Sequence, residues 1–582
     1  MDDSFNCFHL PTVIADIGSR LQLDAQRIQA AVELLDAGNT IPFIARYRKE
    51  ATKSLDEVAL RQVEDWLHFH QELAQRKNTI LKTIDQQQQL TPELRQQIEQ
   101  CWDKNALEEI YLPYKPKRRT RATIARERGL QPLADILLAQ KPIEQSRQRL
   151  LQQFVDPAKD VADPQAALAG ACDIVAEVWS EDAAMRQWMF EESQHAMIRS
   201  QVKRGKKSDD SKFEMYFDHQ EALKKIPSHR FLAMKRAEAE GVVNLSLLFD
   251  EDAVLRKLQR VWVTNPSFEF AAELRDTVED CFRRLLLPSI ETSVLSQLKE
   301  AADAEAIEVF AKNLRELLLA APAGPKVTMG IDPGFRTGCK VAVVDGTGKF
   351  LTNTTIYPTP PKSDIDGAEQ TLLGLIQQYQ IELIAIGNGT ASRETDQFVS
   401  KLIKQHRLPV TKVMVNESGA SIYSASELAV SEYPQLDVTV RGAISIAHRL
   451  QDPLAELVKI DAKSIGVGQY QHDVNQTALK KSLDREVESC VNSVGVDLNM
   501  ASSALLSYVA GIGPKLAANI VKFRDENGRF QDRSQINKVP KLGNKAFVQA
   551  AGFLRIRDGR NPLDNSAVHP ESYYVVEKWP SR

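Results

Sequence analysis

Four polar residues in the second half of the chain stand where apolar runs stop. Asp332 follows the alternation of Val327, Met329 and Ile331; Asn388 follows Ile381–Ile386; Glu417 follows Val410–Val415; Asp452 sits between two helical patterns. Strand ends from one edge of a sheet converge in space, and ligand sites of open α/β sheets form there. Taken alone, Asp332 also reads as the opener of the Asp332-Pro333-Gly334 turn, since Asp side chains bond nearby backbone N–H groups. Asp452 reads as an N-cap with proline at the first helical position. Positive charge offers a second chemistry. Lys115, Lys117, Arg118, Arg119 and Arg121 belong to a run of seven Lys/Arg between Lys115 and Arg128, against Glu127 alone. Beside Tyr111 and Tyr114, such a loop suits a phosphate backbone, or equally an acidic protein. Ile41–Glu50 mixes aromatic and basic residues and suits phosphate or a solvated helix face. His229, alone at a helix start, reads as structural.

The most specific stretch is Ala504–Phe523, ALLSYVAGIGPKLAANIVKF. An apolar helix meets Gly511-Ile512-Gly513, and a second helix starts at Pro514. The pattern resembles a helix-hairpin-helix. Its glycines permit a tight turn that aims backbone N–H groups outward at a helix N-terminus, where the dipole favours an anion and no base is read. Lys515 and Arg524 add charge. A degenerate copy spans Ile536–Phe547, with Lys541, Gly543 and Lys545. Residues 501–560 hold eleven Lys/Arg against four Asp/Glu, a balance of +7, which favours phosphate over a protein-binding hairpin.

The elements that must hold these residues fall into two regimes. The first third reads as helices: one through Ile28, Val32 and Leu35, one from Ser54 to Leu81, one over Leu90–Trp102. Pro113 and Pro116 predict extended chain before a helix from about Thr123. Residues 130–320 read as further helices joined by polar loops, with Ser228 as cap of a helix Phe231–Glu240 and an amphipathic helix through Ile307, Phe310, Leu314 and Leu317. From Val327 strands and helices alternate, and a mixed sheet covered by helices is their natural packing. With 582 residues, three to five domains are expected. Net charge is only −4, so any nucleic-acid surface must be local. Six scattered cysteines make no C-x-x-C pair, which argues against zinc ribbons and disulfides and for a reducing cytosol. The N-terminus has no signal-peptide pattern, and no run approaches a membrane span.

The meander ending in GIDPG, followed by βαβα and a late helical Asp, resembles the RNase H-like superfamily in its RuvC/YqgF branch. That resemblance implies three or four carboxylates holding two Mg²⁺ or Mn²⁺ ions to cut a phosphodiester. On this chain they would be Asp332, Glu417 and Asp452, with the neutral Asn388 where resolvases carry a further carboxylate. Over the whole chain, IPFIARYRKEAT (41–52), YLPYKPKRRTRATIARERGL (111–130), IPSHRFLAMKR (226–236), NESGASIYSASELA (416–429), RLQDPLAELVKID (449–461), IGVGQYQHDV (465–474) and the hairpins resemble the Tex family of bacterial transcription accessory proteins. His448 departs from the family, which usually has Arg there. The family usually continues into an OB-fold RNA-binding domain, expected to be absent from these 582 residues. The resemblance implies nucleic-acid binding, DNA or RNA, in transcription, a likeness to a eukaryotic elongation factor and histone chaperone, and partners such as RNA polymerase or ribosome-associated machinery.

The resulting expectation is a multidomain, mainly α protein, an elongated helical scaffold with one α/β RNase H-like domain. Its parts are a helical region 1–325 with a helix-turn-helix-like portion, a YqgF domain 326–460, a connector 461–497, tandem hairpins 498–560 and a tail 561–582. The expected function is sequence-independent nucleic-acid binding in the cytoplasm, without catalysis or a required cofactor. The alternatives are a Mg/Mn-dependent structure-selective nuclease and a protein-binding scaffold of the transcription machinery.

Overall fold

The computed structural model describes residues 5–115, 119–208 and 211–578. They are mainly helical and form two units, one of residues 5–16 and 65–305, the other of 17–64 and 306–578. The expected single region 1–325 is therefore split, and residues 17–64 fold with the C-terminal half.

In the first unit the expected all-helical stretch contains a three-stranded antiparallel sheet of order β2-β1-β3. Its strands are β1 Met197–Val202, β2 Asp218–Ala222 and β3 Val243–Leu248. Only Ile198 and Ser200 of β1 are buried, so its period-2 signal is short and carried partly by a serine. The helix after β2 begins at Ser228 rather than Phe231, with Pro227 in the capping position and no side-chain cap. The Ser228 hydroxyl instead donates to the Glu305 carboxylate. Leu112–Tyr114 is a 3₁₀ turn, not extended chain, because Pro113 sits at its start where no N–H is needed. In the second unit, Leu317 is only half-buried in its helix; Leu318 takes the core position beside Leu314.

In the second unit, β4 Thr328–Asp332, β5 Cys339–Val344, β6 Phe350–Ile356, β7 Leu383–Gly387 and β8 Thr411–Val415 form a sheet of order β6-β5-β4-β7-β8. The meander β4–β5–β6 is antiparallel, while β7 and β8 run parallel to β4. β4 is central and covered on both faces. Met329 and Ile331 join Leu372 and Val399, from the helices Ile365–Tyr379 and Ser392–His406, in one core. Gly330 faces the helix Val438–Gln451, where a Cβ would lie 2.1 Å from the Ala443 carbonyl oxygen. Glycine is required there by the close approach of helix to strand.

The apolar half of the Ile41–Glu50 stretch is core, Arg46 and Arg48 are committed to partners in the chain, and only Lys49 and Glu50 are exposed. Phe43 and Ile44 are fully buried in the short helix Ile41–Tyr47. The Tyr47 hydroxyl donates to the Gly552 carbonyl at 2.7 Å and Arg46 to that of Asn492 at 3.1 Å, while Arg48 pairs with Glu571 at 3.1 Å. Arg46 and Arg48 fasten this motif to the hairpin region. The expected connector is mostly the helix Gln476–Val494, with Leu479, Leu483, Val487 and Val491 buried on one stripe. The expected tail is also folded on. Arg533, 1% exposed, donates to the carbonyls of Leu554, Ser566 and Val568 and to the Tyr573 hydroxyl, tying residues 554–573 together. Among the described residues no helix is long and apolar enough to cross a membrane.

Candidate nucleic-acid interface

The two hairpins are one backbone shape written twice, thirty residues apart. Gly511 holds φ +78° and Lys541, its counterpart, φ +66°. Gly513 and Gly543 both take φ −86° as capping residues of the helices Pro514–Asn527 and Asn544–Ala551. The Ile512 N–H bonds the Val509 carbonyl at 2.9 Å, as Leu542 does Val539 at 3.2 Å. Positive φ suits glycine at Gly511, where a Cβ would also meet the Gln549 Cβ at 2.8 Å. Neither Gly513 nor Gly543 is needed for its own conformation or packing: a Cβ at either would meet nothing within 4 Å. Neither helix start has a side-chain cap, and first-turn N–H groups lack intrahelical acceptors. The first hairpin therefore presents bare backbone donors beside the exposed Lys515, with Ile512 turned into the core.

The remaining hairpin cations are differently employed. Arg524 donates to the Leu498 and Ala501 carbonyls at 3.2 and 2.9 Å, bracing the entry to the first hairpin. Lys545 donates to the Ala37 carbonyl at 2.6 Å, capping the C-terminus of the helix Ala25–Asp36. Gln549 binds the same turn, accepting from the Thr40 N–H and donating to the Gly38 carbonyl. The second hairpin thus packs its helix against residues 37–40, leaving Lys541 and Gly543 exposed.

At the sheet, Asp332 and Glu417 come together and Asp452 does not. Burial raises the Asp332 carboxyl to about 6, and the neighbouring Glu417 charge pushes the same way against Lys340. Burial also raises Glu417, opposed by the Gly389 N–H and Arg449. Gly387 and Gly389 make the room: a Cβ at either would fall within 2.2 Å of a Glu417 carboxylate oxygen. Asn388 accepts the Glu417 N–H at 3.1 Å. Arg449, 4% exposed, pins the loop by donating to the Asn416 and Ser418 carbonyls at 2.7 and 2.8 Å. Gly442 is the part of the helix Val438–Gln451 that faces Asp332, with 3.1 Å between its Cβ position and Oδ2. Asp452 lies ten residues further on, about 15 Å along the axis. That end packs where β4 begins, through Ala323 N–H to the Leu450 carbonyl (2.9 Å) and Gln451 to the Lys326 carbonyl (2.7 Å). Asp452 caps the helix Pro453–Leu457, accepting from the Ala455 N–H. The expected trio is corrected to a pair, because the helix runs antiparallel to β4. With one amide, a glycine in the facing position and two mutually repelling carboxylates, the donor set does not fit two dications. Among the described residues no group of three His, Cys, Asp or Glu gathers to hold a metal.

His448 joins a buried ionic cluster behind this loop. Its Nε2 lies 2.8 Å from the Gly348 carbonyl and its Nδ1 3.3 Å from Glu456. Burial works to raise the Glu456 carboxyl, but Lys459 and His448 hold it down, to about 2.

The basic loop belongs to the first unit. Lys117 and Arg118 lie outside the described residues. Lys115 and Arg121 are exposed, Arg121 opening the helix Arg121–Glu127, while Arg119 pairs with Glu127 at 2.8 Å. Tyr111 is not available to a ligand: it is buried among Ile80, Ile84 and Leu107, with the Arg76 guanidinium over its ring. The residues shaping the strand-end site that sequence reasoning missed are Arg449, Gly389 and Gly442; the Gly387-Asn388-Gly389 spacing at a strand end was the one available signal.

Comparison with known proteins covers the chain almost end to end. Residues 11–85 match the Tex-like protein N-terminal domain, 143–310 the Tex central region-like model, 326–451 the Tex protein YqgF-like domain, 491–555 a helix-hairpin-helix motif and 561–581 an HHH domain. The "Transcriptional accessory protein Tex" of Neisseria gonorrhoeae is 51% identical over 574 residues, 97% of this chain and 74% of that protein. The "Protein tex" of Bordetella pertussis is 50% identical over 581 residues, 97% of this chain and 73% of that protein. The human "S1 RNA-binding domain-containing protein 1" is 36% identical over 614 residues, 94% of this chain and 61% of that protein. On identity and coverage together, this chain belongs to the Tex family of transcription accessory proteins.

Proposed function

We propose that the chain binds nucleic acid without regard to sequence, in the cytoplasm as an accessory to transcription, and that the first hairpin is its main phosphate contact. One observation carries this reading. The Pro514–Asn527 helix starts with uncapped N–H groups, an exposed lysine and a glycine that nothing in the chain itself demands. An approaching phosphate supplies both the missing acceptor and the reason for the glycine. The names of relatives, one for transcription and one for an RNA-binding domain, agree with it. Binding of this kind needs no resident cofactor. The test is titration of labelled duplex across a salt series. Affinity is expected to fall steeply with salt, and Lys515→Gln to reduce the logarithmic salt slope by about 1. A salt-independent affinity would sink the reading.

In this reading the RNase H-like domain cuts nothing. Its candidate site has two carboxylates, and a nuclease reading keeps one observation in its favour: the buried Glu417 Oε2 has no hydrogen-bond partner among the described residues. Incubation of duplex, forked and single strands with Mn²⁺ and a denaturing gel separates the two. Intact strands are expected; cleavage abolished by Asp332→Asn would make this chain an enzyme.

A further inference from the structure

The helix Ser392–His406 packs on β7 and β8 through the buried Thr395, Val399 and Leu402. Its opposite face carries Arg393, Gln397, Lys401 and Lys404, all exposed, at spacings of four, four and three residues. They form one stripe about 17 Å long. A shallow groove of about 540 Å³ lies along it, lined by Gln397, Ser400, Lys401, Lys404 and Gln405. Among the described residues Arg393, Lys401 and Lys404 have no ion-pair partner. The carboxylates nearby are turned elsewhere. Asp396 pairs with Lys412 on β8, and Glu369 accepts from His406 at 2.6 Å and from Gln405 at 3.3 Å. Glu394, in the first turn, stands about 100° round the helix from Arg393. Other exposed helix cations of the chain are paired along their own helix: Lys312 with Glu308 at 2.7 Å, Lys480 with Asp484 at 2.9 Å, Arg283 with Glu279 at 3.0 Å.

A line of like charges without counter-charges repels itself, and an anionic partner relieves it. The lining says which kind. None of its five residues is apolar or aromatic. Protein interfaces draw their energy from buried aromatic and apolar anchors, and single-strand platforms need rings on which bases stack. Cations along a line, with amide and hydroxyl donors between them, are the set that contacts phosphate and sugar. We propose that this stripe is a second nucleic-acid contact, on the RNase H-like domain, taking the sugar–phosphate backbone of a duplex. The inference rests on the reading that the chain binds nucleic acid. It adds a surface distinct from the first hairpin and built from side-chain charge rather than backbone donors.

The test uses the full chain and fluorescence anisotropy on a labelled duplex of about thirty base pairs across a salt series. The double variant Lys401→Gln/Lys404→Gln is expected to lower the logarithmic salt slope by about 2 and the affinity about tenfold in about 0.1 M salt. Arg393→Gln is expected to lower the slope by about 1. Lys312→Gln removes a cation already paired with Glu308 and is expected to change neither. Thermal melting identifies a variant that fails to fold, and Arg393→Gln decides if the double variant is the one. An unchanged slope in the folded double variant overturns the inference while leaving hairpin binding standing. An equal loss in Lys312→Gln also overturns it, since net charge and not the stripe would then set the affinity. Polyglutamate is titrated beside the duplex: its loss in the double variant, with the duplex slope unchanged, assigns the stripe to an acidic protein and overturns the inference. Failure of the unaltered chain to bind the duplex overturns the parent reading as well.

Discussion

The first hairpin and the strand-end carboxylates are two places where this chain could meet a phosphodiester, and they are built in opposite ways. The hairpin offers backbone donors, held by the short turn between Leu506 and Pro514, with one exposed lysine beside them. The strand-end site offers side-chain charge, assembled from β4, a loop after β8 and a helix, and burial works against that charge. A donor site made of backbone comes complete once the turn forms. A site made of carboxylates works only when a third arrives, and here Gly442 stands where the third would face Asp332.

Five substitutions sharpen the contrast, beginning with the largest effect. Gly511→Val puts a branched side chain at φ +78° and against Gln549, and is expected to cost about 3 kcal/mol in chemical denaturation and to abolish binding. The counterpart Lys541→Gly relieves a positive φ, so its effect has the opposite sign and comes last in size.

Asp332→Asn tests the carboxylate pair. The folded Asp332 keeps its proton up to about 6, whereas unfolded it loses it near 3.8. The proton therefore favours the folded state fully below about pH 4, and that advantage is lost as pH rises through 6. The variant is expected to be more stable than wild type at about pH 8, by about 2 kcal/mol, and equal to it at about pH 4 or below. Nucleic-acid affinity should not change. A loss of affinity would mean that the strand-end site, not the hairpin, touches the polymer.

Lys515→Glu and Lys545→Glu separate the two hairpins. The first is expected to weaken duplex binding about tenfold in 0.1 M salt with an unchanged melting temperature. The second loses the bond to the Ala37 carbonyl and sets a negative charge at a helix C-terminus, costing about 1 kcal/mol of stability with a smaller effect on binding. The smallest change is Lys541→Gly, expected to stabilise the chain by about 0.5 kcal/mol, since glycine tolerates the left-handed turn but unfolds to a freer chain.

The same contrast explains what could be read from sequence. The hairpin was legible because its determinants are local: two glycines, the proline and the lysine lie within five consecutive residues. The sheet was legible from apolar runs and turns, and so were Asp332 and Glu417 at its edge. Asp452 was misplaced because chain spacing does not reveal which end of the Val438–Gln451 helix passes Asp332. The strands β1–β3 were missed because charged and polar residues interrupt their alternation. Ile41–Glu50 was misread because Arg46 and Arg48 serve partners some 450 to 520 residues away, which no local pattern announces.

The measurement that goes straight to the central claim is duplex and single-strand affinity of Gly513→Ala, read beside its melting curve. At φ −86° alanine is unstrained, and its methyl group meets nothing within 4 Å among the described residues. It meets only what comes to the helix start. An unchanged melting temperature with affinity lowered about tenfold is the expected result, matching the loss of a close phosphate contact. Wild-type affinity in the folded variant would contradict the account and move the binding surface elsewhere on the molecule.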